Sequence, residues 1–180
     1  MQEEQINLVS QDGERIGVIG KIAAHETGKL HEAFSIFVFQ KDGRLLLQKR
    51  NPGKYHSGGL WSNTCCGHPR AGEDLQSAAH RRLQEEMGFD CTLKEVFCFT
   101  YQVDLDHGLT EYEFDHVFFG VCDSPLSPDP DEVSEYQWVT VSDLKDDIRH
   151  RPDSYTSWLR IIFAEHAARI EKLVHLLDKA

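Results

Sequence analysis

The chain has 180 residues, a length that suits one domain able to bury roughly 70% of its unfolded surface and leaves no room for a second full domain. Lys and Arg number 19 against 30 Asp and Glu, a formal charge of -11, which argues against a nucleic-acid surface. No apolar run approaches the ~20 residues of a membrane span and the start, Met1-Gln2-Glu3-Glu4-Gln5, is acidic, so a soluble, cytoplasmic protein with no membrane or nucleic-acid partner is expected.

Residues 5–20 alternate weakly around Gly13 and Gly17, predicting a short hairpin with Asp12-Gly13 at its turn, or an N-terminal extension. Lys21, His25 and His31 follow before any firm secondary-structure signal. Phe34-Ser35-Ile36-Phe37-Val38-Phe39 is almost continuously apolar, as expected of a strand covered on both faces. Lys41-Asp42-Gly43 turns the chain and residues 44–50 return, giving a hairpin. That strand ends in Lys49 and Arg50, with Lys54 beyond Asn51-Pro52-Gly53. In an acidic chain this basic cluster reads as an anion site or as an ordinary solvated loop.

Residues 55–60 form a polar, glycine-containing loop, and residues 61–64 lead into Cys65-Cys66-Gly67-His68-Pro69, read as a turn. Cys65, Cys66, Cys91, Cys98 and Cys122 are odd in number and contain no CxxC pair, poor material for a disulfide framework or a four-cysteine zinc site. Most are expected to be buried apolar residues; Cys66, beside Gly and His, has the setting for chemistry. A helix follows. At 100° per residue Leu75, Ala78, Ala79, Leu83 and Met87 share one apolar arc, with Glu73 and Asp74 in the first turn and Gly88 as the stop. Arg82 and Glu86 project through the middle of that arc. They form either an i,i+4 ion pair or, since burying charge without a partner is costly, groups that meet a ligand or metal.

Residues 92–103 read as a strand with Phe97, Phe99 and Tyr101 on one face, followed by a turn at 104–108. Residues 110–121 read as another, whose period of two puts Glu111 and Glu113 on the same side. Two carboxylates there repel unless a cation or proton lies between them. Residues 123–132, with Pro125, Pro128 and Pro130, form a loop, and 135–140 a short strand. Ser142 is the expected cap of a brief helix through Ile148, broken by Pro152. Residues 155–177 form an amphipathic helix with Trp158, Ile161, Ile162, Ala168 and Leu173 inward. His80, His107, His116, His150, His166 and His175 are read as non-functional.

His25, His31, His68, Glu111 and Glu113 form a mixed imidazole and carboxylate set suited to Zn²⁺ or Mn²⁺. Glu86, hard and anionic, suits Mg²⁺ bound together with a substrate phosphate. With Lys21, Arg50, Lys54 and Arg82 as a basic set, these residues point to a small-molecule diphosphate.

Gly67-x5-Glu73-x7-Arg81-Arg82-Leu83-Gln84-Glu85-Glu86-Met87-Gly88-Phe89 resembles the Nudix box, G-x5-E-x7-R-E-U-x-E-E-x-G-U with U apolar. The spacing is matched throughout, and Arg82 stands where that family has Glu. The resemblance implies an α/β fold in one domain spanning 1–180, an α/β/α sandwich with a mixed sheet, the Nudix helix and a C-terminal helix. Nudix hydrolases hold water-activating metals on that glutamate-rich patch, and an arginine there opposes hydrolysis. Asn63-Thr64-Cys65-Cys66-Gly67-His68-Pro69 with Arg81-Arg82, and Tyr112 between Glu111 and Glu113, is similar to the type 1 isopentenyl diphosphate isomerases, Nudix-fold enzymes that leave the diphosphate intact.

This second resemblance runs over residues 21–158. It implies Cys66 and Glu113 as the proton-transfer residues, and His25, His31, His68, Glu111 and Glu113 as ligands of one Mn²⁺ or Zn²⁺. Glu86, with the backbone carbonyl of Cys66, would hold Mg²⁺ on the diphosphate. Lys21, Arg50, Lys54 and Arg82 would grip the phosphates, Tyr101 would hydrogen-bond the catalytic carboxylate, and Trp158 would lie over the hydrocarbon. The implied activity is the reversible allylic proton shift between isopentenyl and dimethylallyl diphosphate through a carbocation, in isoprenoid biosynthesis, by a monomer or homodimer. The alternatives are a Nudix hydrolase of an organic or nucleoside diphosphate, and a catalytically silent Nudix module that binds a diphosphate.

Overall fold

The structure, a computed structural model, describes residues 3–177. Its hub is the strand β3 (His31–Phe39), buried along its whole length. Alternation sends Phe34, Ile36 and Val38 to one face and Phe37 and Phe39 to the other, so each face has its own apolar core. On one edge, β8 (Thr110–Val121) runs parallel to β3 from His31 opposite Glu113 to Phe39 opposite Val121, and β7 (Leu93–Asp104) pairs antiparallel with β8. The other edge is shared by three short partners. β1 (Gln5–Val9) meets it at Leu8 and His31, β6 (Cys65–Gly67) pairs antiparallel with residues 34–36, and β4 (Leu45–Arg50) touches it where the hairpin turns at Phe39 and Leu45. Beyond that point β4 leaves β3 and pairs with β5 (Trp61–Ser62) and β9 (Val133–Val139).

Two helices cover the sheet. Ala78, Ala79, Leu83 and Met87 of α2 (Leu75–Met87) are fully buried against Phe34, Ile36 and Val38. Leu159, Ile162, Phe163 and Ile170 of α4 (Ser157–Leu177) pack with Phe37, Phe39 and Val117 on the opposite face. Each buried Leu, Ile, Met or Phe among them contributes about 1.5–3 kcal/mol by leaving water. The result is the expected α/β/α sandwich with a mixed sheet. Among the described residues no helix is long and apolar enough to cross a membrane.

The N-terminal segment forms the predicted hairpin, β1 with β2 (Arg15–Gly20), with Gly13 at φ 81° in its turn; residues 1–2 lie outside the described residues. Several local expectations are corrected. Residues 65–67 are a strand rather than a turn, because their backbone completes the edge of β3. The helix α2 begins at Leu75, capped by Asp74, whose carboxylate accepts from Ser77 N–H at 3.0 Å, so Glu73 and Asp74 precede the first turn. Helix α3 (Val141–His150) is capped by Thr140, not Ser142. Ala168 is exposed because six residues past Ile162 is about 240° round the helix, whereas Ile170 turns inward. All five cysteines are free; Cys65 and Cys122 are buried, Cys66 and Cys91 half-buried and Cys98 exposed.

Residues 21–27, which carry no strong periodic signal, form a short helix, α1 (Lys21–Thr27), bounded by Gly20 and by Gly28 in the left-handed region. The Glu3 carboxylate accepts from the Ile22 and Ala23 N–H groups at 2.6 and 3.2 Å, satisfying donors that a helix start leaves open. The helical turn puts Lys21 and His25 on one side.

Candidate active site

A cavity of about 230 Å³ opens between the sheet and its coverings. Sheet register explains what lines it. Cys66 stands opposite Ser35, and Glu113 opposite His31, so a period of two puts Cys66, His68, His31, Glu111 and Glu113 on the same face of β6, β3 and β8. Antiparallel pairing sets Tyr101 directly opposite Glu113.

Three imidazoles converge at one end. The ring centroids of His25, His31 and His68 lie 4.8 to 5.5 Å apart. His25 Nδ1 donates to the Lys21 carbonyl and His31 Nδ1 to the Lys29 carbonyl, both at 2.7 Å, because a carbonyl can only accept. Each Nε2 is left with its lone pair, buried and without a hydrogen-bond partner among the described residues. Yet His31 Nε2 faces Glu113 Oε1 at 3.6 Å and His25 Nε2 faces Glu111 Oε1 at 3.8 Å. A lone pair set against a carboxylate oxygen calls for a cation between them. Carbonyls that orient imidazoles in this way are the usual supports of metal ligands. Burial keeps His25 and His68 neutral, His68 pushed down to about 3, which is the ligating form. Donor atoms of His25, His31, His68 and Glu113 all lie within 4.8 Å of one another, so this set fits a divalent ion; Glu111 groups with His25 and His56 instead.

The carboxylates share one phenol. Tyr101 Oη lies 2.9 Å from Glu111 Oε2 and 2.6 Å from Glu113 Oε2. Burial raises both carboxyls, but the neighbouring imidazoles outweigh it at Glu113, His68 Nε2 lying 2.8 Å from its Oε1, and hold it well below the usual range. At Glu111 the charge of Glu113 adds to burial and holds it well above that range.

Cys66 is held by Asn63. The Asn63 amide gives its hydrogens to the carbonyls of Ile36 and Cys65 at 3.1 and 2.8 Å, so its oxygen turns toward the thiol, which donates to it at 3.2 Å. Burial and then the charge of Glu86 push the Cys66 thiol up to about 12, so it carries its proton. The Trp158 indole N–H donates to Ser62 Oγ and Asn63 Oδ1 at 3.0 and 3.2 Å, and the Arg50 guanidinium lies 5.3 Å from the ring centroid, over its face.

The other end of the cavity is cationic. Lys21, Arg50, Lys54 and Arg82 all line it, whereas Lys49 turns away to Glu135 at 2.6 Å. Three of the four hold carboxylates: Lys21 faces Glu4 at 3.7 Å, Lys54 pairs with Glu132, and Arg82 pairs with Glu86 and lies 3.4 Å from Glu132. Burial, helped by Arg50 and Arg82 against Glu86, pushes Lys54 down to about 8. Glu86 is ionised, since Arg82 and Gln48 outweigh its burial; Gln48 Nε2 donates to it at 2.7 Å.

Every site residue expected from the sequence lines this cavity except His25 and His31, which sit behind Glu111 and Glu113 in the wall. Sequence reasoning missed His56, Glu132 and Asn63 as contributors. His56 was hidden in a polar glycine loop, and Glu132 in a proline-rich one. Asn63 stands in the quoted Asn-Thr-Cys-Cys motif, where its short spacing to Cys66 was the available signal.

A model of the NUDIX domain matches residues 29–159. The isopentenyl-diphosphate Delta-isomerase 2 of Aromatoleum aromaticum is 53% identical over 157 residues, covering 87% of this chain and 83% of its own. That of Photorhabdus laumondii is 54% identical over 160 residues, with 89% and 90% covered. The isopentenyl-diphosphate Delta-isomerase of Pectobacterium atrosepticum is 45% identical over 160 residues, with 89% of each chain covered. Among solved structures, DR0079 of Deinococcus radiodurans superposes with a TM-score of 0.74 at 20% identity, over 93% of this chain and 99% of its own, a likeness of fold.

Proposed function

Since the chain belongs to the NUDIX domain family and, within it, to the isopentenyl-diphosphate Delta-isomerases, we propose that it interconverts isopentenyl and dimethylallyl diphosphate. The proposal takes residues 1–180 as one domain of the type 1, Nudix-fold class. The observation that carries it is the pairing of a protonated thiol, Cys66, with an ionised carboxylate, Glu113, in one cavity whose far end holds four cations. An allylic shift needs a proton given at one end of the double-bond system and another taken from the far end. In one direction the Cys66 thiol gives a proton and the Glu113 carboxylate accepts one. The reverse direction starts from the thiolate and the carboxylic acid, and exchange with solvent resets either state.

Tyr101 holds Glu113 in place and Asn63 holds Cys66. Trp158 offers its indole face to the positive charge that develops between the two proton transfers, and burial of the hydrocarbon end keeps water from that carbocation. Lys21, Arg50, Lys54 and Arg82 bind the diphosphate. Arg82 speaks against hydrolysis: it answers Glu86 as a cation where a hydrolase would present another metal-binding carboxylate. His25, His31, His68, Glu111 and Glu113 would hold Mn²⁺ or Zn²⁺, and Glu86 with the Cys66 carbonyl would hold Mg²⁺ brought with the substrate. When bound, these ions supply the positive charge that sets the proton affinity of Glu113 and neutralises the diphosphate.

The test is incubation with isopentenyl diphosphate and Mg²⁺ in deuterated water, followed by NMR. Deuterium-labelled dimethylallyl diphosphate is the expected product; phosphate release without rearrangement would overturn the reading.

A further inference from the structure

The histidine cluster contains a fourth imidazole outside the ligand set above. His56, on the loop between β4 and β5, is buried, 5% exposed. Its Nε2 lies 3.4 Å from Glu111 Oε1, the same oxygen that His25 Nε2 faces at 3.8 Å. The His25 and His56 rings lie 5.8 Å apart at only 28° to one another. Donor atoms of His25, His56 and Glu111 all lie within 4.8 Å of one another, as do those of His25, His31, His68 and Glu113. The two sets share His25, and the Tyr101 hydroxyl ties Glu111 to Glu113.

Ligands at neighbouring corners of an octahedron with bonds of ~2.1 Å stand about 3 Å apart, and those at opposite corners about 4.2 Å. The separations around Glu111 Oε1 are of that scale. His56 Nδ1 lies 3.2 Å from Ser57 Oγ, and its Nε2 is turned to the same carboxyl oxygen that His25 Nε2 faces. The backbone holds His56 there through two constraints. Ser57 adopts a φ of 52°, unusual for a residue other than glycine, and Arg50 Nη2 donates to the His56 carbonyl at 3.3 Å.

We propose that His56 is a sixth ligand of the ion at the histidine site, giving a shell of four imidazoles and two carboxylates. The inference rests on the reading of that site as a metal centre. A shell filled by protein donors is the mark of an ion that leaves no position for substrate or water. The ion then acts on the substrate only through Glu111 and Glu113. Through its carbonyl, His56 also joins the metal centre to Arg50 and thereby to the phosphate end of the cavity.

The test uses Mn²⁺ and the full chain without diphosphate. Affinity is read by titration, coordinated imidazoles by pulsed EPR, and bound water by proton relaxation. The wild type is expected to bind one Mn²⁺ with four coordinated imidazoles and no exchangeable inner-sphere water. His56→Ala should bind about 10- to 100-fold more weakly, with three imidazoles and one water, and added imidazole should displace that water. His56→Gln, which retains a donor toward Glu111, should also lose the fourth imidazole. Circular dichroism of each variant checks folding. Wild-type protein with only three coordinated imidazoles or with a bound water would overturn the proposal without any variant, as would unchanged values in His56→Ala. Wild-type protein that bound no Mn²⁺ would instead sink the metal reading of the whole cluster.

Discussion

Tyr101 and Glu113 face one another across the β7 and β8 ladder, and the phenol oxygen stands 2.6 Å from Glu113 Oε2. The same oxygen is 2.9 Å from Glu111, so one hydroxyl orders both carboxyls. Tyr101→Phe retains the ring that packs in the core and removes only that bridge. We expect kcat to fall roughly 10- to 100-fold with KM little changed, in steady-state assays of isopentenyl diphosphate turnover.

Cys66→Ser retains a hydroxyl that can donate to Asn63 but has a far weaker tendency to give up its proton. Turnover should fall by about 10²- to 10⁴-fold, the usual range for loss of a proton-transfer group. Calorimetric binding of the diphosphate should stay near the wild-type value. A variant retaining wild-type deuterium uptake would remove Cys66 from the proposed chemistry.

Lys54, pushed down to about 8, should make binding sensitive to pH in the mildly alkaline range. Below that value the ammonium is present and attracts the diphosphate; above it the charge is lost. KM should therefore rise toward tenfold per pH unit beyond about 8. Arginine stays protonated throughout this range, so Lys54→Arg should flatten the rise.

Much of this arrangement was legible in the sequence pattern. An almost continuous apolar run marked residues 34–39, and a period of two placed Glu111 and Glu113 together. A period of 3.6 marked α2 and singled out Arg82 and Glu86, which do pair at the cavity wall. What escaped depended on closure in three dimensions. Helix α1 is seven residues between glycines, too short to show a stripe. β6 is three residues that become a strand only because β3 offers an edge. His56 is one histidine in a loop, and nothing local says that Glu111 will lie beside it. Parallel pairing of β3 with β8 leaves no turn signal, since the strands it joins are far apart in the chain.

Glu132 occupies Lys54 and approaches Arg82, two of the cations proposed to hold the diphosphate. Neutralising it should free both. Glu132→Gln is expected to lower KM by on the order of threefold, the scale of a partly exposed ion pair, measured in the same steady-state assay. A raised KM would show instead that Glu132 helps to bind the substrate.

Leu83 is fully buried between α2 and the sheet, away from the reacting groups. Leu83→Ala should cost about 2–5 kcal/mol in urea unfolding. Activity per folded molecule should stay close to wild type at temperatures where the variant remains folded.

The parallel seam between β3 and β8 also bears on how the molecule comes into being. It brings Ser35 against Asp115, 80 residues away in the chain, and the same seam puts His31 beside Glu113. Such a pairing must close a long loop before any contact compensates for the lost chain entropy, which makes it a late and slow event in folding. The proposed acid–base pair and metal cradle would therefore assemble only once that seam has closed. A cation that binds only the finished cradle would draw the folding equilibrium toward the native chain, so chelation should shorten the protein's lifetime under denaturing conditions as well as silence its chemistry.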